Sequence, residues 1–400
     1  MSSTVDLNKV SIDESKLFLV KALVLVALLA SFLISLPLWH TIRDYPVFPL
    51  FDSFVISSTP FDICYFVLFA GAWMGAIRTR GANALWFFLA VFVSGLLVDQ
   101  ARWTPYHLQY VLFFLVIAIE LSTRSKRFDL AASGLRLVLV CTYVWAGVHK
   151  LNLHYFQYTF SWFISPLVER FSFLDIKWFV FLGVFSPFIE IVFGLGLFFK
   201  VSRKFSALIL ILMHVGILVC LGPLGHNYGA VVWPWNMLMI ALLWVLSRGE
   251  VERDIVSLKR VSHVLVLFII GFLPSLSLLN RWDSNLSMHM YSGNTASMEM
   301  FVKKDSVANW PKNLAPFLKP IKGNESEVLF DHWMWSLSAI GNIPPIELRT
   351  YRKIAEYVCE RTHVGESLRY VMREKKGFTS LAVDSDREYT GTCAEFGEVP

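Results

Sequence analysis

Lys150 stands at the end of an apolar stretch, where a charge is costly and an ionisable group prompts a functional hypothesis. One interpretation is a lysine whose ammonium extends to the membrane interface. The other is a lysine desolvated inside a helix bundle, held near its neutral form and able to act as a base. Gly147 permits close approach of a second helix and favours the buried position. His149, beside Lys150, belongs to the same candidate catalytic group.

A carboxylate and a histidine occupy later apolar stretches. Glu190 lies three residues after Pro187, so both share one helical face, next to a backbone carbonyl that the proline leaves unpaired. Glu190 either pairs with a basic group on a neighbouring helix or contributes to a ligand site. His214 lies among Leu, Ile and Met, and is either a packing group with satisfied hydrogen bonds or a member of the same site.

A first polar block joins two apolar stretches. Asp99 and Arg102 predict an ion pair at a helix end, and Pro105 is predicted to start the next helix. His107 and Gln109 then project into the outer half of that helix. We therefore count the polar members of this block as candidate site residues.

A second polar block contains His226 and Asn227 and leads to Trp235 and Asn236. Tryptophans at this depth are typical of an aromatic belt at a membrane surface. The same mixture of aromatic faces and a few polar groups also suits a flat hydrophobic ligand such as a quinone. Both interpretations remain open from the sequence.

Metal and nucleic-acid sites are not expected. The candidate histidines lie on different predicted elements and show no metal-ligand spacing. No phosphate-binding glycine loop and no basic nucleic-acid module is present. The histidines are His107, His149, His214 and His226.

Composition requires a membrane environment for these groups. Of the 400 residues 55% are hydrophobic and only 17% are charged, which excludes a soluble globular chain. Residues 281–400 hold 31 of the 67 charged residues. We therefore predict a transmembrane helical bundle over 1–280 and a small soluble α+β domain over 281–400.

The predicted bundle is an all-α polytopic fold with about nine spans, each long enough to cross about 30 Å of hydrocarbon. Residues 151–176 predict an additional interfacial or re-entrant piece. The spans are residues 17–40, 60–77, 83–99, 105–122, 134–150, 177–199, 205–222, 229–247 and 262–280.

Charge in the loops predicts the orientation. Basic residues follow the second, fourth, sixth and eighth spans, which places these four loops on the cytoplasmic side. The N-terminus is then cytoplasmic and the C-terminal domain extracytoplasmic. The net charge of +5 follows from this bias rather than from a nucleic-acid partner. The basic residues are Arg78, Arg80, Arg124, Lys126, Arg127, Lys200, Arg203, Lys204, Arg248, Arg253, Lys259 and Arg260.

The C-terminal domain is predicted to cover the outer mouth of the bundle or to bind a partner. Prolines near 344 precede an amphipathic helix over 347–362, and 378–383 has the pattern of a strand. Cys359 and Cys393 are able to form a disulfide if the domain faces an oxidising compartment.

The segment Ala146–Asn152 reads AGVHKLN and resembles the A-G-[IV]-x-K-L-[DN] pattern of vitamin K-dependent γ-glutamyl carboxylases, within the wider HTTM-type membrane family. The similarity runs from about 83 to 247. It implies that Lys150 is a base activated during oxygenation of a reduced, vitamin K-like quinone, with His107 as a supporting histidine. The blocks 99–105, 282–287 and 291–294 are more similar to bacterial DoxX/HTTM-like proteins.

Two function classes follow. The first is a quinol-dependent oxidoreductase or carboxylase-like membrane enzyme, acting on a quinone-like molecule or a peptide or protein substrate on the outer side. The second is a non-enzymatic maturation, immunity or partner protein whose polar groups hold helices together. A transporter would show an inverted repeat, which the sequence lacks.

Overall fold

The computed structural model describes residues 7–51, 57–123, 126–170, 181, 183–248, 256–362, 365–376 and 387–397. The part before residue 280 is helical. Its helices are α1 Leu7–Ile34, α2 Leu36–Trp39, α3 Thr59–Arg78, α4 Ala82–Val98, α5 Pro105–Ser122, α6 Phe128–Lys150, α7 Phe160–Arg170, α8 Ser186–Gly196, α9 Arg203–Leu221, α10 Val232–Ser247 and α11 Val261–Ser277.

Among the described residues, five helices have the length and composition to cross a membrane, namely α1, α3, α5, α6 and α9. The other predicted spans correspond to the shorter apolar helices α4, α8, α10 and α11. The predicted helical architecture with several helices able to span a membrane is therefore confirmed, whereas the count of nine spans is not. Within the predicted span 177–199, residues 177–180 and 182 lie outside the described part of the chain.

Local sequence explains where several helices begin. Pro105 starts α5, as predicted, and the Thr104 side chain accepts a hydrogen bond from the backbone N–H of His107. The prediction that Pro187 leaves a carbonyl unpaired inside a helix is wrong. Helix α8 begins at Ser186, and a proline in the first turn has no intrahelical N–H bond to lose.

Residues 152–170 form a short helical segment instead of a full span. A π-helical turn over Tyr155–Thr159 leads into α7. Tyr158 is 62% exposed, and Leu153 and Trp162 are also exposed. The sequence predicts an interfacial or re-entrant piece over 151–176, of which 171–176 lies outside the described residues.

Two glycines bring α6 and α8 into backbone contact. A Cβ on Gly147 would lie 2.5 Å from the carbonyl oxygen of Pro187, and a Cβ on Gly194 would lie 2.7 Å from Cβ of Tyr143. Neither position accommodates a side chain without a shift of the helices. This close approach places the end of α6 directly beside Glu190.

The C-terminal part contains a five-stranded antiparallel sheet in the order β2-β3-β1-β4-β5. A disulfide joins Cys359 to Cys393. The predicted amphipathic helix corresponds to α13, while 378–383 lies outside the described residues. The elements are β1 Ser297–Lys303, β2 Leu318–Ile321, β3 Asn324–Phe330, α12 His332–Ile340, α13 Leu348–Thr362, β4 Leu368–Arg373 and β5 Glu388–Thr392.

Contacts at the two ends of α1 define two ends of the bundle. In its N-terminal half, Lys126 pairs with Glu14 at 3.0 Å, and the guanidinium of Arg80 lies over the ring of Phe18. Near its C-terminal end, Gly341 of the C-terminal domain lies against Ile34. The basic loops after α3 and α5 therefore lie at the end of α1 opposite to the C-terminal domain.

Candidate functional site

Lys150 and Glu190 form a buried ion pair. Nζ of Lys150 donates to Oε1 of Glu190 at 2.6 Å and to Oε2 at 2.8 Å. The two residues are 8% and 7% exposed. Lys150 therefore does not extend to the interface, and Glu190 has the basic partner on a neighbouring helix that one interpretation of the sequence required.

The ion pair faces a small cavity of about 50 Å³. Helices α6, α8, α9 and α10 surround it, so candidate residues that are far apart in sequence share one wall. The volume accommodates a few water-sized molecules, and it is too small for a quinone ring. The polar lining comprises Thr142, Tyr143, Lys150, Glu190, His214, Trp235, Asn236 and Tyr291.

His214 is the centre of a hydrogen-bonded chain in this cavity. Its Nε2 lies 2.8 Å from Oη of Tyr143, and its Nδ1 lies 2.7 Å from Oδ1 of Asn236. Asn236 in turn donates from Nδ2 to the carbonyl of Val232 at 2.8 Å. His214 thus has satisfied hydrogen bonds, as the packing interpretation requires, and it also lines the cavity.

A second chain runs behind the cavity. Nε1 of Trp235 donates to Oε1 of Gln109 at 2.7 Å, and Nε2 of Gln109 donates to Oγ1 of Thr142 at 2.8 Å. Trp235 is therefore an interior residue at this site instead of a member of a surface belt. Gln109 supports its indole ring without facing the cavity.

A much larger chamber lies between the helical bundle and the C-terminal domain. Its volume is about 1,090 Å³, slightly above the usual range for ligand pockets. Charged side chains of the C-terminal domain line part of it, namely Lys319, Asp331, Arg373, Glu374 and Lys376. Aromatic rings and short polar side chains line much of the rest. They include Tyr106, Tyr158, Trp162, Tyr228, Tyr291, Asn152, His289 and Asn342.

Only a thin wall separates the chamber from the small cavity. Val232, Met290 and Tyr291 line both spaces. Tyr291 has a positive φ of 51°, a conformation that is uncommon outside glycine, and its ring stacks near Trp162 with centroids 6.2 Å apart. The loop after α11 therefore places one aromatic ring between the two spaces.

His149 does not face the cavity. Its ring stacks on His289 with centroids 3.6 Å apart, and its Nε2 has no hydrogen-bond partner among the described residues. Ser277 links His289 to Lys375 of the C-terminal domain, at 2.8 Å and 2.7 Å. Burial lowers the pKa of both His289 and Lys375, with His149 and Lys375 lowering that of His289 further.

His107 lies in a different environment from Lys150. Its ring packs against Trp39, Phe92 and Tyr106, and its Nδ1 lies 2.7 Å from the carbonyl of Arg102. It lines neither the cavity nor the chamber. The expected association of His107 with Lys150 is therefore not present in this structure.

Asp99 and Arg102 tie loops to the bundle. The Asp99 carboxylate lies 2.5 Å from Arg43 and 4.0 Å from Arg102. The predicted partner is thus the more distant one. Arg102 donates to the carbonyls of Leu38, Trp39 and Gly95, so backbone groups are the main hydrogen-bond partners of its guanidinium.

His226 and Asn227 are also outside the cavity. Nε2 of His226 lies 2.7 Å from the carbonyl of Trp162, and the two rings stack at 4.4 Å. Asn227 adopts a positive φ of 49° in the turn before α10. These residues hold α7 against that turn and contribute to the chamber through Trp162.

The sequence did not identify Tyr143, Met290 and Tyr291 as site residues. Tyr143 stands seven residues before Lys150, about two helical turns, and this spacing was a usable signal. The loop residues Met290 and Tyr291 carry no periodic pattern, so their position depends on the fold.

Within the described part of the chain, no group of three His, Cys, Asp or Glu side chains is placed to hold a metal ion. Comparison of the chain with protein-family models, with curated proteins and with solved structures finds no match.

Proposed function

We propose that the chain is an integral membrane protein with nine spans, a cytoplasmic N-terminus and an extracytoplasmic C-terminal domain. The basic loops at one end of the bundle support this orientation. The disulfide between Cys359 and Cys393 supports it independently, since disulfides persist in oxidising compartments. The shorter helices α4, α8, α10 and α11 supply the remaining four spans.

We further propose that it is a quinol-dependent membrane enzyme of the HTTM type, with its reactive centre at the Lys150–Glu190 cavity. One observation carries this proposal. A desolvated ion pair, a histidine chain and an aromatic chamber of ligand size adjoin across a wall of three residues. An ion pair that only holds two helices together does not require an adjacent cavity or a ligand-sized chamber next to that cavity.

A quinone-type group suits the chamber and not the small cavity. The chamber has sufficient volume and presents flat aromatic faces at Trp162, Tyr158 and Tyr228. Asn152 and Asn342 also line it, but their side-chain amides are already hydrogen-bonded within the protein. Exposed Leu153 and Tyr158 at its margin lie where an amphiphile would enter from the bilayer. When bound, a quinol would supply two electrons, and dioxygen, the oxidant that the resemblance to the carboxylases implies, would accept them.

Lys150 and Glu190 act as one proton-accepting unit in this proposal. As an ion pair, Lys150 is an ammonium and has no lone pair. It becomes a base only when the proton on Nζ moves to Glu190, along a hydrogen bond of 2.6 Å. The pair stays neutral overall in both forms, which avoids a lone buried charge.

A second candidate function is a non-enzymatic membrane partner protein. The observation that favours it is the complete pairing of both Glu190 oxygens with Lys150, as expected of a clamp between α6 and α8. In that case the chamber binds a segment of a protein partner or a lipid.

Quinone analysis and turnover separate the two candidates. The protein is purified in detergent, its bound lipids are extracted, and oxidation of menadiol is followed spectrophotometrically for the parent and for Lys150→Met. We expect a bound quinone in the parent and a loss of turnover of at least about 100-fold in the variant, the size of a general-base contribution.

Arg136→Met is the matched control, because Arg136 is another buried cation on α6 and donates to the carbonyl of Leu246, away from the cavity. Both variants are compared at equal folded yield. Equal turnover of the parent and Lys150→Met eliminates Lys150 as the base. Absence of any bound or bindable quinone selects the partner protein.

A further inference from the structure

The hydrogen bonds around His214 have a direction, and a backbone carbonyl determines it. The carbonyl oxygen of Val232 can only accept, so the side-chain nitrogen of Asn236 must face it, at 2.8 Å. Oδ1 of Asn236 therefore faces Nδ1 of His214 at 2.7 Å. Because that oxygen also only accepts, Nδ1 carries a proton.

The second ring nitrogen is then an acceptor. In a neutral imidazole with a proton on Nδ1, Nε2 has a lone pair. Oη of Tyr143 lies 2.8 Å from Nε2, so the tyrosine hydroxyl donates to it. His214 is 1% exposed, so bulk water does not compete for this bond. The Tyr143 oxygen keeps its own lone pairs on the side of the cavity.

We infer that Tyr143, His214 and Asn236 form a second proton-accepting unit of the cavity, beside Lys150 and Glu190. A proton that arrives at Oη of Tyr143 from a water-sized donor in the cavity is balanced by the transfer of the tyrosine proton to Nε2 of His214. The product is an imidazolium whose Nδ1–H still donates to Asn236. Tyr143 contacts the cavity, and Asn236 is a positioning residue that holds the tautomer.

The presence of two proton-accepting units in one cavity extends the proposed function. The inference rests on that function for the identity of the proton donor. The titratable groups that face the cavity are Tyr143, Lys150, Glu190, His214 and Tyr291. A single-proton reaction would need only one unit. A dihydroxy aromatic in the chamber that passes two electrons to dioxygen would use both units as transient acceptors of its two protons, which reach the cavity past Tyr291 and finally bind to the peroxide that forms.

The tautomer is measured directly, without any ligand. Protein labelled with ¹⁵N-histidine is reconstituted in lipid, and the two ring nitrogens of His214 are identified by their loss in His214→Gln. We expect a protonated Nδ1 and an unprotonated Nε2 at neutral pH. A proton on Nε2 alone, or on both nitrogens at neutral pH, overturns the inference.

Two variants test the assigned roles. Tyr143→Phe removes only the donor, so the proton stays on Nδ1 and the Nε2 resonance shifts. Asn236→Leu removes the acceptor, so the proton moves to Nε2, which then donates to the Tyr143 oxygen. An unchanged tautomer in Asn236→Leu overturns the positioning role, since a packing effect alone would not select a nitrogen.

Turnover separates this inference from the function on which it rests. With menadiol as the probe, Asn236→Leu is expected to lower kcat at least about tenfold with little change in KM, because binding in the chamber is untouched. If the parent shows the expected tautomer but no turnover, the quinol function is refuted and the proton-accepting unit is retained. Turnover in a parent with the opposite tautomer refutes the unit and leaves the function.

Discussion

Two of the groups of buried charges in the bundle are bonded in different ways. Arg102 gives three hydrogen bonds to backbone carbonyls, and Asp99 accepts from the backbone N–H groups of Phe48 and Ala101. Lys150 and Glu190 bond to each other and face a cavity. The charges bonded to the backbone hold loops in place, whereas the pair that borders the cavity is the one proposed to exchange a proton.

The largest expected effect is on the backbone-bonded group. Arg102→Met removes three donors from buried carbonyls and one cation from Asp99, which should lower the free energy of unfolding by about 4 kcal/mol. Thermal or SDS-induced unfolding in detergent measures it. A loss below about 1 kcal/mol would show that these contacts are not what holds the loop.

The pair at the cavity should behave differently under double substitution. Glu190→Leu leaves Lys150 buried without its partner and should cost about 3 kcal/mol, while Lys150→Met with Glu190→Leu should recover most of that loss. The recovered protein should still lack turnover of menadiol. Asp99→Leu with Arg102→Met is the matched pair, and it should not recover, because its backbone partners remain unsatisfied. Equal recovery in both pairs would remove the distinction.

The pH dependence of stability is expected to distinguish the C-terminal domain from the two charge groups of the bundle. Burial lowers the pKa of His332 in the C-terminal domain to about 4, from 6.5. The unfolded chain therefore binds a proton first as pH falls, so stability is unaffected above about pH 6.5 and declines below it. Between pH 7 and pH 5 this group should remove about 2 kcal/mol.

Denaturant titrations at both pH values, read from tryptophan fluorescence, test this acid effect. His332→Gln is the comparison variant, since it keeps an amide donor for the carbonyl of Met298 but does not titrate. The variant should lose about 2 kcal/mol less than the parent on acidification. An identical loss in both proteins would assign the acid sensitivity to other groups.

The smallest effect is expected where the loop group meets the C-terminal domain. Arg349 donates to Gln100 at 2.8 Å and to Asp283 at 2.5 Å, but its side chain is 46% exposed. Solvent screening limits such contacts, so Arg349→Ala should change stability by less than about 1 kcal/mol. A larger shift of the unfolding midpoint would mean that this surface contact orders the loop as strongly as Arg102 does.

Sequence reasoning identified individual members of the cavity but not their partners. Glu190 and Lys150 were each noticeable because a charge inside an apolar stretch is rare, and Gly147 indicated a close helix. Their mutual pairing depends on how α6 and α8 cross, which no local pattern specifies. The same limit explains why Asp99 was assigned to Arg102, since Arg43 belongs to a distant loop.

His107 shows the opposite failure. A buried histidine near a candidate site suggested a shared role, yet its ring lies among Trp39, Phe92 and Tyr106. The position of His107 along α5 indicates its depth in the bundle. It does not indicate which side of the α5 axis the ring occupies relative to α6. Several ring contacts, rather than one motif, decided its environment.

Composition and periodicity by themselves determined that the chain has a helical, membrane-compatible part and a more charged C-terminal part, because the distribution of apolar and charged residues along the chain can be read directly from the sequence. They also determined where α5 and α13 begin, since a proline in a first turn and a break before an amphipathic run act locally. Only the tertiary structure decided that Tyr291 separates the chamber from the cavity and that a carbonyl orients His214. The first relation joins Tyr291 to helices that are distant in the chain, and the second depends on the orientation of the Asn236 side chain, so neither can be read from local sequence.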